Sequence, residues 1–236
     1  MDQAVIGQQL ILDVGLREAC SFDNFVVGDN ELLVEVLKRS VFSSDEEFCY
    51  CLYGVHGSGK THLVGAVMDE YGKLGKRCVY YPMEDCKSLD PRSLSSELQP
   101  DLVCIDDLHK VLGDVSWECA LFECYNRRQT MKLPMVITML NSPQSSNFLL
   151  SDLRSRLMAD LVFKVKPMSD SERLYCLQYR AKQRGLVLSA TVARFLIERY
   201  TRDNHSLLAA LDKLDFASIE KRRALTIPFV KQTLGI

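Results

Sequence analysis

Two short stretches carry residue types and spacings that can do chemistry, and both point to phosphate. Gly54-Val55-His56-Gly57-Ser58-Gly59-Lys60-Thr61 has the G-x-x-x-x-G-K-[ST] spacing of a phosphate-binding loop. Gly54, Gly57 and Gly59 let the backbone turn its N–H groups, that of Ser58 among them, toward one point, and a helix starting there adds partial positive charge. Lys60 is expected to reach the outer phosphates of a nucleotide, and the Thr61 hydroxyl to ligate Mg2+. The second stretch, Leu102-Val103-Cys104-Ile105-Asp106-Asp107, is an apolar run ending in two acids. As a strand it brings Asp106 to the magnesium shell and Asp107 to where a carboxylate can orient a water against an outer phosphate.

These groups need a scaffold, and the hydrophobic pattern supplies one. Phe48 to Tyr53, Cys78 to Tyr81, Leu102 to Ile105, Met135 to Thr138 and Phe163 to Val165 read as short buried strands. Between them, Thr61 to Leu74 reads as a helix closed by Gly75. Val115 to Arg128 reads as a helix with Trp117, Ala120, Leu121 and Tyr125 on one face. An earlier helix, Asn30 to Arg39, has Leu32, Leu33, Val36 and Leu37 at helical spacing. Alternating strands and helices predict parallel βαβ units in a three-layer α/β domain. After Pro167 the pattern becomes helical throughout. Ser169-x-x-Glu172 is a capping-box spacing ahead of a helix that stops at Gly185. Ser189 caps a second helix with Val192, Phe195 and Leu196 inward, and a third runs from Ser206 through Leu207, Leu208, Leu211 and Leu214. Thr226 and Pro228 open a last short one. The expected division is therefore a tail over 1–20, an α/β core over 21–167 and a small all-helical domain over 168–236.

Composition narrows the class. The 236 residues are 47% hydrophobic and 25% charged, which excludes disorder. No apolar run reaches the roughly 18 residues that a membrane span requires, and no basic residue precedes Arg17, which argues against a secretory signal. The 9 cysteines are odd in number and scattered, so they do not read as a disulfide framework or a zinc site. A cytoplasmic chain without membrane contact is expected. A net charge of -2 gives no general pull toward nucleic acid, but residues 168–236 hold 12 Lys/Arg against 7 Asp/Glu while residues 1–167 hold 17 against 24.

On the phosphate loop, the Ile105-Asp106-Asp107 strand end, the Thr138 region and the helical lid, the chain resembles the AAA+ ATPases, and more narrowly the ATPase domain of the bacterial replication initiator DnaA. Phe22 to Asn30 is similar to the segment that wraps the adenine in those proteins. Leu225-Thr226-Ile227-Pro228-Phe229-Val230-Lys231 resembles the end of the Hda family, short DnaA homologues that inactivate DnaA. The resemblance implies a three-layer P-loop core with a parallel sheet and a lid, binding ADP or ATP with Mg2+. The nucleotide contacts it implies are Gly54, Gly57, Ser58, Gly59, Lys60, Thr61 and Asp106, with Thr138 or Asn141 at the fourth strand end and His205 or Arg202 from the lid. The metal contacts it implies are Thr61 and, indirectly, Asp106.

The resemblance also implies partners. Gln9-Leu10-Ile11-Leu12-Asp13-Val14 is similar to the peptide that docks on the DNA polymerase III beta sliding clamp, with Gln9, Leu10, Leu12 and Val14 as contacts. Packing of this patch on the chain's own domain is the other reading of the same residues. Arg156, in Leu153-Arg154-Ser155-Arg156-Leu157, matches the arginine that reaches into a neighbour's nucleotide site, with Arg154 as the competing candidate. No basic recognition helix follows the lid, so contact with DNA is expected only weakly or through the clamp. The expected function is regulation of replication initiation: clamp docking, stimulated hydrolysis of DnaA-bound ATP, and prevention of re-initiation. Arg156 and Asp107 would be its catalytic residues. A helper that loads replication proteins onto DNA is the alternative. Weak ATPase activity of its own and self-assembly into a homo-oligomer are compatible with both.

Overall fold

The computed structural model describes residues 20–42, 48–86, 90–95, 99–201, 204–221 and 223–236, without the side chains of Cys86, Ser95, His205 and Lys221. The expectations for Gln9, Leu10, Leu12, Val14 and Arg202, and for the His205 side chain, therefore lie outside the described residues.

The elements run α1 (Glu31–Phe42), β1 (Cys49–Tyr53), α2 (Lys60–Lys73), β2 (Cys78–Pro82), a single turn α3 (Met83–Cys86), β3 (Leu102–Asp106), α4 (Val115–Met131), β4 (Met135–Met139), α5 (Ser151–Ala159) and β5 (Leu161–Lys164). Four more helices follow: α6 (Asp170–Gln183), α7 (Ala190–Arg199), α8 (Asn204–Lys221) and α9 (Ile227–Leu234). By internal contacts the chain forms two units. One holds the described residues up to Phe25 with Leu32–Gly54 and Lys60–Val165; the other holds Val26–Glu31, Val55–Gly59 and Lys166–Ile236. Among the described residues no helix is long and apolar enough to cross a membrane.

In the first unit all five strands are parallel, in the order β2-β3-β4-β1-β5. The central strands are continuous apolar runs because both their faces are covered. β3 and β4 are buried along their whole length, whereas the edge strands β2 and β5 are only half-buried. Cys49, Cys51, Val103, Ile105, Met135 and Ile137 share one face and pack with Trp117, Leu121, Leu153 and Leu157 of α4 and α5. Helix α2 packs against β2, β3 and β4. Helix α4 starts where Asp114 accepts the backbone N–H groups of Ser116 and Trp117 at 2.9 and 3.4 Å, a cap worth about 1 kcal/mol. It ends with Lys132 in the left-handed conformation.

Several boundaries and one face depart from the sequence reading; α1 and α4 run three residues further than expected, to Phe42 and Met131. β5 starts two residues earlier than expected, because its register against β1 pairs Tyr50 with Leu161 and Tyr53 with Lys164. In α1, Leu32 is exposed and Val34 takes the buried position beside Leu33, Leu37 and Val41.

In the second unit, α6–α9 enclose a core of Leu177, Leu196, Leu207, Leu211, Leu214, Phe229 and Val230. The expected starts at Ser169, Ser189 and Thr226 carry their caps, while the helix expected from Ser206 begins at Asn204. The Ser169 hydroxyl accepts the Glu172 N–H at 3.3 Å and the Glu172 carboxylate accepts the Ser169 N–H at 2.6 Å. Ser189 accepts the Val192 N–H at 3.3 Å, and Thr226 that of Phe229 at 3.4 Å. Gly28 has a φ of 48°, a conformation that favours glycine, and a Cβ there would displace the Glu172 carboxylate.

Candidate functional site

β1 delivers the chain to Gly54, whose N–H donates to the Met139 carbonyl of β4 at 3.2 Å. Gly57 and Gly59 then take φ values of 70° and 100°, a turn closed to side-chain-bearing residues at little cost only because both are glycine. The Ser58 N–H donates to the Val55 carbonyl at 3.2 Å. Lys60 is buried and donates to the Gly54 carbonyl at 2.8 Å. Burial lowers its pKa, and Asp107 and Asp106 oppose that shift. The Ser58 hydroxyl oxygen is buried without a hydrogen-bond partner. An orphaned polar atom inside a glycine turn that opens a helix fits the chemistry of a phosphate-holding loop.

The acids lie at the end of β3. Since β4 is inserted between β1 and β3, its own Thr138 falls beside Asp106, one residue beyond the Ile105–Ile137 pair of the ladder. The Asp106 carboxylate, 4% exposed, takes three hydroxyl groups. Thr61 and Tyr80 each donate to Oδ2 at 2.8 Å, and Thr138 donates to Oδ1. The Thr138 oxygen in turn accepts the Asp107 N–H at 2.8 Å. Asp107 itself is left-handed, with φ 57° and ψ 45°, a conformation that costs a non-glycine residue about 1 kcal/mol or more. Thr61 is thus joined to Asp106 as a shared metal site needs, and its oxygen keeps lone pairs for a divalent cation. Of the two candidates at the fourth strand end, Thr138 joins this cluster, while Asn141 is exposed in the turn beyond it.

Within the second unit, polar side chains tie together segments far apart in the chain. Asn204, beside His205, donates to the Gly57 carbonyl at 2.5 Å and accepts from Arg173 Nε at 3.3 Å. Asn30, closing the Phe22–Asn30 segment, donates to the carbonyls of Val27 and Lys166 at 3.1 and 3.0 Å and accepts the Lys166 N–H at 2.8 Å.

The two arginine candidates on α5 differ. Arg154 is exposed. Arg156 is half-buried, with its guanidinium over the rings of Phe122 and Tyr125, 5.2 and 5.7 Å from their centroids, and Nη1 donating to Gln129 Oε1 at 2.9 Å. The Tyr125 hydroxyl donates to Asp160 at 2.6 Å. Helix α5 is fixed from below by Glu118, which is fully buried and whose carboxylate accepts the N–H groups of Gly113 at 3.0 Å and Leu150 at 2.7 Å.

Tyr80, Asn204, Glu118 and Asp160 are site or support residues that sequence reasoning missed. Tyr80 carried a usable signal: in a parallel sheet the edge-strand residue paired with Cys104 shares a face with Asp106, two positions on. The others meet their partners through tertiary folding and left no local pattern.

A parallel sheet with a glycine loop after β1, an acid-ended strand one place removed from it, and a helical unit after β5 define a P-loop protein of the AAA+ class. Comparison with known proteins agrees. Residues 16–164 match the bacterial DnaA ATPase domain, and residues 170–234 match the Hda lid domain. The chain belongs to the DnaA-related AAA+ family and carries a lid of the Hda type. An uncharacterised protein of Haemophilus influenzae is 36% identical over 232 residues, covering 98% of this chain and all of that one. Among solved structures, domain III of Thermotoga maritima DnaA superposes with a TM-score of 0.77 at 22% identity, over 91% of this chain and 95% of that one. AMPPCP-bound DnaA from Aquifex aeolicus gives 0.72 at 21%, over 85% of this chain and 66% of that one. The Holliday junction branch migration motor RuvB of Thermotoga maritima gives 0.70 at 16%, over 92% and 71%.

Proposed function

We propose that this protein regulates replication initiation by acting on DnaA. An adenine nucleotide, ADP or ATP, sits in the Gly54–Thr61 loop, with Gly57, Ser58, Gly59 and Lys60 around its phosphates and Asp106 behind Thr61. Mg2+, when bound, neutralises phosphate charge and is held by Thr61 and, indirectly, by Asp106. Residues 9–14 dock on the DNA polymerase sliding clamp, so that the chain works beside DNA without reading its sequence. Arg156 then enters the nucleotide site of a DnaA molecule. There a guanidinium offsets the charge that develops on the phosphoryl oxygens, and the DnaA-bound ATP is hydrolysed.

The observation that carries this reading is the setting of Arg156. Its guanidinium is held by two aromatic faces and one neutral amide, with the Asp160 carboxyl acting on it through charge and no direct hydrogen bond from a carboxylate among the described contacts. The Hda-type lid supports the same reading. ATP-loaded DnaA, clamp loaded on DNA and this protein are mixed and the ADP formed is counted. A clear rise over DnaA alone is expected, lost in Arg156→Ala. No rise with the wild-type chain overturns the proposal. Asp107 keeps a second reading in view, turnover at the chain's own loop, where its carboxylate orients the attacking water. In that case Lys60→Ala, and not Arg156→Ala, abolishes ADP formation when DnaA is left out.

A further inference from the structure

The hydroxyl of Tyr80 has no part in the reaction described so far, yet it ends on the acid at the centre of the loop's chemistry. It stands on β2, two strands away from β4 and on the opposite side of β3. From there it donates to Asp106 Oδ2, the oxygen that Thr61 also uses, while Thr138 donates to Oδ1 from β4.

The three donors are not equivalent. Tyr80 and Thr138 belong to strands locked to β3 by the parallel ladder, with Tyr80 registered on Cys104 and Ile137 on Ile105. Thr61 is the second residue of α2, directly after the glycine turn. Two fixed donors on either side of a buried carboxylate remove its freedom to rotate about χ2. The third donor then meets an acceptor that always points the same way. A threonine that keeps its proton on such an acceptor has its remaining lone pairs directed, and those are what a hard divalent cation takes.

From this geometry we infer that Tyr80 is a positioning residue for the metal-dependent part of nucleotide binding: it holds Asp106 so that Thr61 is presented to the cation. The role rests on an adenine nucleotide occupying the loop, as proposed above. It concerns how strongly Mg2+ tightens that nucleotide and adds nothing to the phosphate contacts themselves.

Calorimetric titration of the full chain with ADP, in EDTA and over a series of Mg2+ concentrations, tests it. In Tyr80→Phe the Mg2+ concentration for half-maximal tightening is expected to rise about tenfold, the worth of one hydrogen bond to a charged acceptor. Affinity in EDTA should change less than about twofold. Asp106→Asn should abolish the Mg2+ effect, and adding Tyr80→Phe to it should change nothing further. Replacing Tyr80 by 4-aminophenylalanine, which keeps a donor in the para position, should restore most of the response. An unaltered Mg2+ response in Tyr80→Phe overturns the inference. So does a loss of equal size in EDTA and in Mg2+, which would mark Tyr80 as support for the fold alone. If Tyr80→Phe does not fold, the 4-aminophenylalanine chain decides by the same measure, since a loss of Mg2+ response with the donor retained overturns it. A wild-type chain that binds no ADP in either buffer overturns the nucleotide reading and takes this inference with it; one that does leaves the judgement to Tyr80 alone.

Discussion

The Asp106 carboxylate and the Arg156 guanidinium belong to the same α/β unit and are held by opposite means. Asp106 is buried, and each of its oxygens accepts at least one hydroxyl, two of them from neighbouring strands. Arg156 lies half-buried on two ring faces with one amide oxygen for a partner. A group that must keep one geometry through a cycle is surrounded by short, directional bonds in a dry place. A group that must leave its seat for another molecule is better served by contacts that orient it loosely and are each worth about 1 kcal/mol or less. The contacts of Arg156 are of this second kind: two ring faces, one amide and the nearby charge of Asp160.

The contrast can be broken most directly at Arg156. Arg156→Ala is expected to lower ADP formation from DnaA-bound ATP by a factor on the order of 1000, toward the rate of DnaA alone. The variant's melting temperature should remain close to that of the wild type. A large drop in melting temperature would mean that the arginine is a structural strut and the contrast is false. On the other side, Thr138→Val removes a fully buried hydroxyl that serves both Asp106 and the Asp107 N–H. Urea unfolding should show a loss of about 1–3 kcal/mol, the cost of leaving buried polar groups unpaired; a neutral result would show that the corner is less rigid than its bonds suggest. Gln129→Ala, which takes away the amide bonded to Arg156 Nη1, is expected to change stability by no more than about 0.5 kcal/mol in the same measurement.

The smallest effect is one of pH. Burial raises the Asp160 carboxyl above its ordinary value, with hydrogen bonds from Tyr125 and Cys49 and the charge of Arg156 pulling it back in part. The folded chain thus holds this proton to higher pH than the unfolded chain does. The stability it contributes is complete below the ordinary carboxylate value and is lost as pH rises through the raised one. Asp160→Asn should flatten the stability curve between those two values, and an unchanged slope there would exclude Asp160 as its source.

Much of the framework was legible from residue order because its signals are local. The glycine spacing of the loop, the apolar run ending at Asp106 and the caps at Ser169, Ser189 and Thr226 each depend on residues within a few positions of one another, and each has its counterpart in the fold. The braces around the site were not legible. Tyr80 meets Asp106, and Glu118 meets the Leu150 N–H, only after strands and helices from distant parts of the chain have packed. The choice between Thr138 and Asn141 was open for the same reason, since it turns on the register of β4 against β3 and on where β4 ends. The misjudged start of β5 reflects a register set by the partner strand and not by the segment itself. In α1, period alone could not say that Leu32 stands on the outward side.

The side chain of Asn30 bridges both backbone polar groups of Lys166, one giving and one taking, across a separation of 136 residues. The helical unit is thus stitched to a stretch of chain that leaves the ribosome long before its own helices are made, and the middle of the glycine loop is counted in the same unit. Synthesis must run past Lys166, and for the glycine loop past Asn204, before these early segments can find their companions. A fragment starting at α6 would carry the lid's helices but not its clasp, so the smallest piece of this protein that can be expected to behave like the lid is close to the entire polypeptide.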